Sequence, residues 1–178
     1  MAGFAEDLII KFLKEHKEDI RDNDWTKIML DVLSITFQAP LGTALYKAGV
    51  FEEVLHNTSM IASLVFSELS ITKLDIPSNV EIIGSGAFKY CTMMTELTLN
   101  EGLVKIGSNA FRYTNLKEVT IPKSVISIGI DAFSVTVENF IIPKNLYKTG
   151  YDNNRDCFIE SIYSEPSIIT SPVSVTIY

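Results

Sequence analysis

The sequence predicts an α/β fold, a leucine-rich repeat solenoid of three to four repeats of about 22 residues, with a helical N-terminal cap and a short β C-terminal cap. The first observation behind it is a column of phenylalanines, Phe66, Phe88, Phe111 and Phe133, spaced by 22, 23 and 22 residues. The second is the local setting of that column. The last three phenylalanines follow Ala87, Ala110 and Ala132, and each comes four residues after a glycine, at Gly84, Gly107 or Gly129. The third is that other columns keep the same register: Leu74, Leu97, Val119 and Phe140, then Ile76, Leu99, Ile121 and Ile142. Single units of this size cannot bury their own apolar face, whereas a stack of them buries one continuous column.

Composition narrows the function classes. The chain has 178 residues, 47% hydrophobic and 21% charged, enough for one packed domain plus a cap and unlike a disordered chain. Its net charge of −7 comes with 15 unclustered Lys and Arg, which argues against direct binding to nucleic acid. The acidity is concentrated at the front. Residues 1–58 hold ten acids and six bases, while residues 59–146 hold eight and seven. The two cysteines, Cys91 and Cys157, do not form a secreted disulfide framework. The first residues lack the basic n-region of a signal peptide, and no apolar run approaches the ~20 residues of a membrane span. The expectation is a cytoplasmic protein with no membrane contact.

In chain order, residues 1–58 form the helical cap. Phe4, Leu8, Phe12, His16 and Ile20 step by four, one stripe of an amphipathic helix. Asp22, Asn23 and Asp24 offer N-cap side chains for a second helix, whose face is Trp25, Ile28, Met29, Val32 and Leu33. A third helix starts near Pro40 and stops at Gly49, and one or two further turns follow over 51–58. Short helices like these shield their apolar faces by docking on the first solenoid turn.

Residues 59–146 form the solenoid. Each unit opens with a period-2 strand, ended by Pro77, Asn100, Pro122 or Pro143 because proline cannot donate to a ladder. The glycine column then allows a tight turn, and Ala-Phe returns the chain to the core. The phenylalanines are therefore structural. Leu74-Asp75-Ile76-Pro77, Val80, Ile83-Gly84, Ala87-Phe88 and Cys91 closely resemble the BspA-like, Treponema-type leucine-rich repeats, over about residues 61–146. Departures are Asn100 for proline and Thr114 and Thr136 in the cysteine column. The stretch from Leu41 to Phe66 is similar in layout to a helical leader of some bacteriophage and mobile-element proteins of this kind. Many family members are secreted adhesins.

Residues 147–178, rich in Ser, Thr, Ile, Val and Tyr, read as short strands or a hairpin covering the last repeat's edge. Asp152, Asn154 and Asp156 open like a calcium loop, but Cys157 stands where glycine is required and Tyr163 where the bidentate glutamate belongs. His16 and His56 lie forty residues apart with no neighbouring ligand. Gly84-Ser85-Gly86 begins neither known phosphate loop. The sequence therefore implies no catalytic residue, no cofactor and no metal.

Two surfaces could bind a protein partner, one expected to be basic. The first is the outward ladder of the strands: Lys73 and Asp75, Glu96 and Thr98, Glu118 and Thr120, Asn139 and Ile141. Glu96 and Glu118 would stack and repel unless Lys73, Lys117 or a partner's cation offset them. The second is the acidic leader, Glu15, Glu18, Asp19, Asp22 and Asp24. The expected function is a non-enzymatic protein-interaction module, with a phage or mobile-element inhibitor of a host-defence protein as one specific form. The alternatives are a structural, virion-associated or oligomerising subunit, and a surface adhesin fragment.

Overall fold

Apolar and polar residues alternate in Lys-Leu-Asp-Ile and its equivalents, and in the computed structural model each such segment is a strand with its apolar residues turned inward. Residues 10, 11, 14, 15, 41–144, 146 and 174–178 are described. Two sets of strands alternate along the chain. The short strands β1 (Met60–Ile61), β3 (Ile82–Ile83), β5 (Lys105–Ile106) and β7 (Ser127–Ile128) form one parallel sheet. The longer strands β2 (Lys73–Ile76), β4 (Glu96–Leu99), β6 (Glu118–Thr120), β8 (Asn139–Ile142) and β9 (Ser174–Ile177) form the other wall. There β2 pairs with β4, and β6, β8 and β9 pair in that order, all parallel and in column register.

The phenylalanine column fills the space between the walls. Phe66, Phe88, Phe111 and Phe133 stack face to face at centroid distances of 5.6, 5.5 and 5.5 Å. All four are buried in one core with Ile83, Ile106, Leu74, Val119 and Ile142. Each offset pair adds about 0.5–1.5 kcal/mol to the area term.

The glycine column has a second reason besides the tight turn. Gly84, Gly107 and Gly129 do not have positive φ. Instead, a Cβ on Gly107 would stand 2.5 Å from the Ser85 nitrogen of the preceding turn. Successive turns are packed backbone against backbone at this point. The left-handed positions fall two residues later, at Gly86, Asn109 and Asp131, with Leu64 as their equivalent in the first repeat, and again at Glu68, Tyr90 and Tyr113.

At the N-terminal end, helix α1 (41–48) and helix α2 (Phe51–Asn57) close the solenoid as expected. Gly49 sits at φ +72° and its N–H bonds the carbonyl of Tyr46, while Val50 bonds that of Leu45. That is the paired bonding of a Schellman cap. Gly42 faces the carbonyl of Val65 so closely that a Cβ there would overlap it. Asn79 Nδ2 donates to the carbonyls of Leu55 and Thr58, at 3.0 and 2.7 Å, and so binds the end of α2 to the first repeat. Residues 10, 11, 14 and 15 are helical; the rest of the first expected helix and all of the second lie outside the described residues.

At the other end β9 covers β8 in the same parallel sense, and the hydroxyl of Tyr178, the residue after it, donates to the carbonyl of Ile121 at 2.9 Å. Of the short strands or hairpin expected over 147–178, β9 is described, while residues 147–173, with Asp152, Asn154, Asp156 and Cys157, lie outside the described residues.

Candidate functional site

Every outward residue expected on the strand ladder is on that face. Lys73, Asp75, Glu96, Thr98, Glu118 and Thr120 are exposed, and Asn139 and Ile141 are half-buried. β9 adds Ser174 and Thr176, both exposed, as a fifth rung. The charges do not stack as a bare carboxylate pair. Lys73 approaches Glu96 at 3.6 Å, and Asn139 Nδ2 donates to Glu118 at 2.7 Å. Lys117, expected beside Glu118, instead pairs with Glu138 across the next turn. Asn100, in the proline column, donates to Asp75 at 2.8 Å and to the Ile76 carbonyl at 2.9 Å. Its side chain gives the departure from proline a bonding role.

The ladder is divided at its centre. β4 and β6 belong to separate sheets, and the break falls between Glu96 and Glu118. Each carboxylate turns to a partner on its own side of the break, Lys73 or Asn139, which offsets the like charges of the two neighbouring strands. Leu97 and Leu99, expected to be fully inward, are only half-buried along this seam.

A further surface was not anticipated. From the first residue of a long strand to the phenylalanine of the same repeat the chain takes 15 residues every time: Lys73 to Phe88, Glu96 to Phe111, Glu118 to Phe133. From phenylalanine to the next long strand it takes 7, 8, 7 and then 6. All the variation in repeat length therefore lies on one edge. In repeat proteins, such insertions collect on one face, often the binding face. Here that edge also carries exposed apolar side chains: Tyr90 (44%), Met93 (53%), Tyr113 (43%) and Val135 (47%).

Tyr90 and Tyr113 stack at 4.8 Å with their planes 9° apart. Lys89 Nζ lies 5.0 Å from the Tyr90 centroid, and the Arg112 guanidinium 5.0 Å from that of Tyr113. Both tyrosines have left-handed backbones, φ 64° and 62°, unusual for a bulky residue and costing roughly 1–3 kcal/mol each. Arg112 is fixed by Asn109 and by Asp131, each at 3.0 Å. The signal for this site was in the sequence as a repeated basic–aromatic pair, Lys89-Tyr90 and Arg112-Tyr113, directly after the phenylalanines.

Other candidates have structural roles. Cys91 is buried, its thiol donates to the Phe66 carbonyl at 3.3 Å, and burial pushes its pKa up to about 11. Thr114 and Thr136 keep a small donor in the same column, bonding the carbonyls of Phe111 and of Thr114 and Leu116. His56 Nδ1 lies 2.8 Å from the Glu52 carbonyl one helical turn back. Among the described residues no group of three or more His, Cys, Asp or Glu could hold a metal ion. No described helix is long and apolar enough to cross a membrane. Of the acidic leader, Glu15 is exposed and 3.9 Å from Lys11. Glu18, Asp19, Asp22, Asp24 and His16 lie outside the described residues.

The chain matches the BspA type leucine rich repeat region in six copies over residues 59–173. The chain belongs to that family. The BspA-type match extends past residue 146 to residue 173, into the segment expected to be a cap. No curated protein matches the chain. Among solved structures, a leucine rich cell surface protein from Faecalibacterium prausnitzii A2-165 is similar at 17% identity and a TM-score of 0.46. The match covers 67% of this chain and 30% of that one, so this chain spans under a third of that protein.

Proposed function

We propose that this BspA-type repeat protein acts by binding another protein along its long-strand wall, without catalysing a reaction. The observation that carries this reading is the ladder itself: parallel strands in register on each side of the β4–β6 break, with alternate side chains outward on a wall anchored by a continuous core. Such a wall meets an extended partner at evenly spaced positions and loses little conformational entropy on binding. Asp75, Glu96 and Glu118 outnumber Lys73 on it, which favours a partner with basic side chains at its centre.

The narrower role of inhibiting a host-defence protein rests on the likeness in layout of the stretch from Leu41 to Phe66 to a bacteriophage leader, and on no side chain of the ladder. The test is a tagged pull-down from the source cell, comparing wild type with Glu96→Lys/Glu118→Lys. A partner held by wild type and lost by the double variant supports the ladder. A partner held equally by both removes it as the binding face.

A further inference from the structure

The turn edge beside the ladder differs from it in kind. The ladder carries Lys73, Asp75, Glu96 and Glu118, charged types depleted at the centres of protein interfaces. The edge shows Tyr, Met and Arg, the types enriched there and over-represented among the residues whose truncation costs most. Three independent observations fall on it: all the variation in repeat length, exposed apolar side chains, and two aromatic residues held in left-handed backbones. Met93 lies in the longest of the connections, the one of 8 residues, and is the most exposed of the group.

We infer that Tyr90, Met93 and Tyr113 form the anchor site for a polypeptide segment of a partner protein, which inserts an apolar side chain and sets a neighbouring carboxylate against Lys89. The inference rests on the interaction-module reading and deepens it by naming the site and the chemistry of the segment. The carboxylate follows from charge. Arg112 is committed to Asp131, whereas Lys89 makes no ion pair among the described residues and is held over the Tyr90 ring. A carboxylate meeting Lys89 gains a charge-assisted bond without breaking an existing pair. The stacked phenols supply rigid contact area with few torsions to freeze. The connections bearing Tyr90 and Tyr113 lead straight into β4 and β6, so a segment anchored here continues onto the ladder.

The test uses the full chain and a display library of short random peptides. The substitution pair Tyr90→Asn/Tyr113→Asn suits it because asparagine tolerates the left-handed backbone, so the fold is kept while both rings are removed. The expected result is enrichment of peptides with Asp or Glu beside an aromatic or aliphatic residue. Their affinity falls at least about tenfold in the double variant, and Glu96→Lys/Glu118→Lys changes it less than about threefold. Lys89→Ala weakens these peptides but not versions with the carboxylate replaced by amide. Peptides that bind the tyrosine variant unchanged, or that depend on Glu96 and Glu118 instead, overturn the anchor site and leave the ladder reading standing. Failure to enrich any peptide, or binding of glycans in place of peptides, overturns it too. So does a wild-type dimer in sedimentation that the tyrosine substitutions convert to monomer, because the occupant is then a second copy.

Discussion

Phe51 of α2 meets Phe66 of the first repeat edge to face, with centroids 4.9 Å apart and planes at 82°. At the opposite end Phe133 meets Phe140 at 5.5 Å and 70°. A column of parallel rings has two open faces, and here a perpendicular ring closes each. The helical cap is thus the last ring of the core as well as a cover over it. Phe51→Ala should cost ~3–5 kcal/mol, comparable to a change inside the column. Hydrogen exchange should show α2 losing protection well before the central repeats; uniform loss would mean that cap and solenoid unfold as one unit.

The register of the ladder makes a sharper contrast. Phe111 is fully buried between Phe88 and Phe133, while Thr120 points to solvent from β6. Phe111→Ala should destabilise by ~3–5 kcal/mol in denaturant unfolding, and Thr120→Ala should stay within ~0.5 kcal/mol. Similar costs for both would place Thr120 in contacts that the strand geometry does not provide.

Two glycines separate two physical causes. Gly107→Ala pushes a methyl to 2.5 Å from the Ser85 backbone, which cannot move without shifting a whole turn. A loss of ~3 kcal/mol, at the upper end for overpacking, is expected. Gly49→Ala meets nothing within 4 Å but must hold φ near +72°. There the cost is ~1 kcal/mol, and Gly49→Asn should recover part of it, as thermal melts of the three variants can show.

The repeat was legible because burial acts on single columns: each inward position needs an apolar residue of suitable size, and the period exposes it. Leu74, Ile83, Phe88 and most of their equivalents are buried where the pattern placed them, while Leu97 and Ile128 are half-buried against the same core. Less legible was anything decided between side chains on neighbouring turns. That Glu118 would take Asn139 and leave Lys117 to Glu138 depends on rotamers and on the break beside β4. The tyrosine edge was missed for another reason. Its residues keep a place in the repeat without pointing inward, so a search for core columns passes over them.

Glu101 links two turns through its charge. Its carboxylate oxygens accept from the backbone N–H groups of Lys123 and Ser124, each at 3.0 Å. The bond from Lys123, with smaller help from that of Ser124, lowers its pKa from the usual 4.5. A carboxyl whose folded pKa is depressed adds stability above the unfolded value and loses it as pH falls through the folded one. Stability of wild type should therefore decline as pH drops below about 4.5, and Glu101→Gln should decline less steeply. Parallel curves for the two proteins would show that this carboxylate does not link folding to pH.

Cys91 offers a probe of the core that needs no mutation. Thiol reagents attack the thiolate, and a pKa near 11 leaves almost none at neutral pH. Burial at 0% exposure adds a steric barrier between the Phe66 carbonyl and the neighbouring turns. Followed at Cys91 itself by mass spectrometry, labelling of the native protein should require opening of the second repeat, and its rate should rise with denaturant along the unfolding transition. Phe111→Ala, which loosens the adjacent turn, should raise that rate in proportion to its loss of stability. Rapid labelling of Cys91 in the native wild type would mean that the stacked repeats open locally around Phe88, and that the ring column is far less rigid than its spacing of 5.5 Å implies.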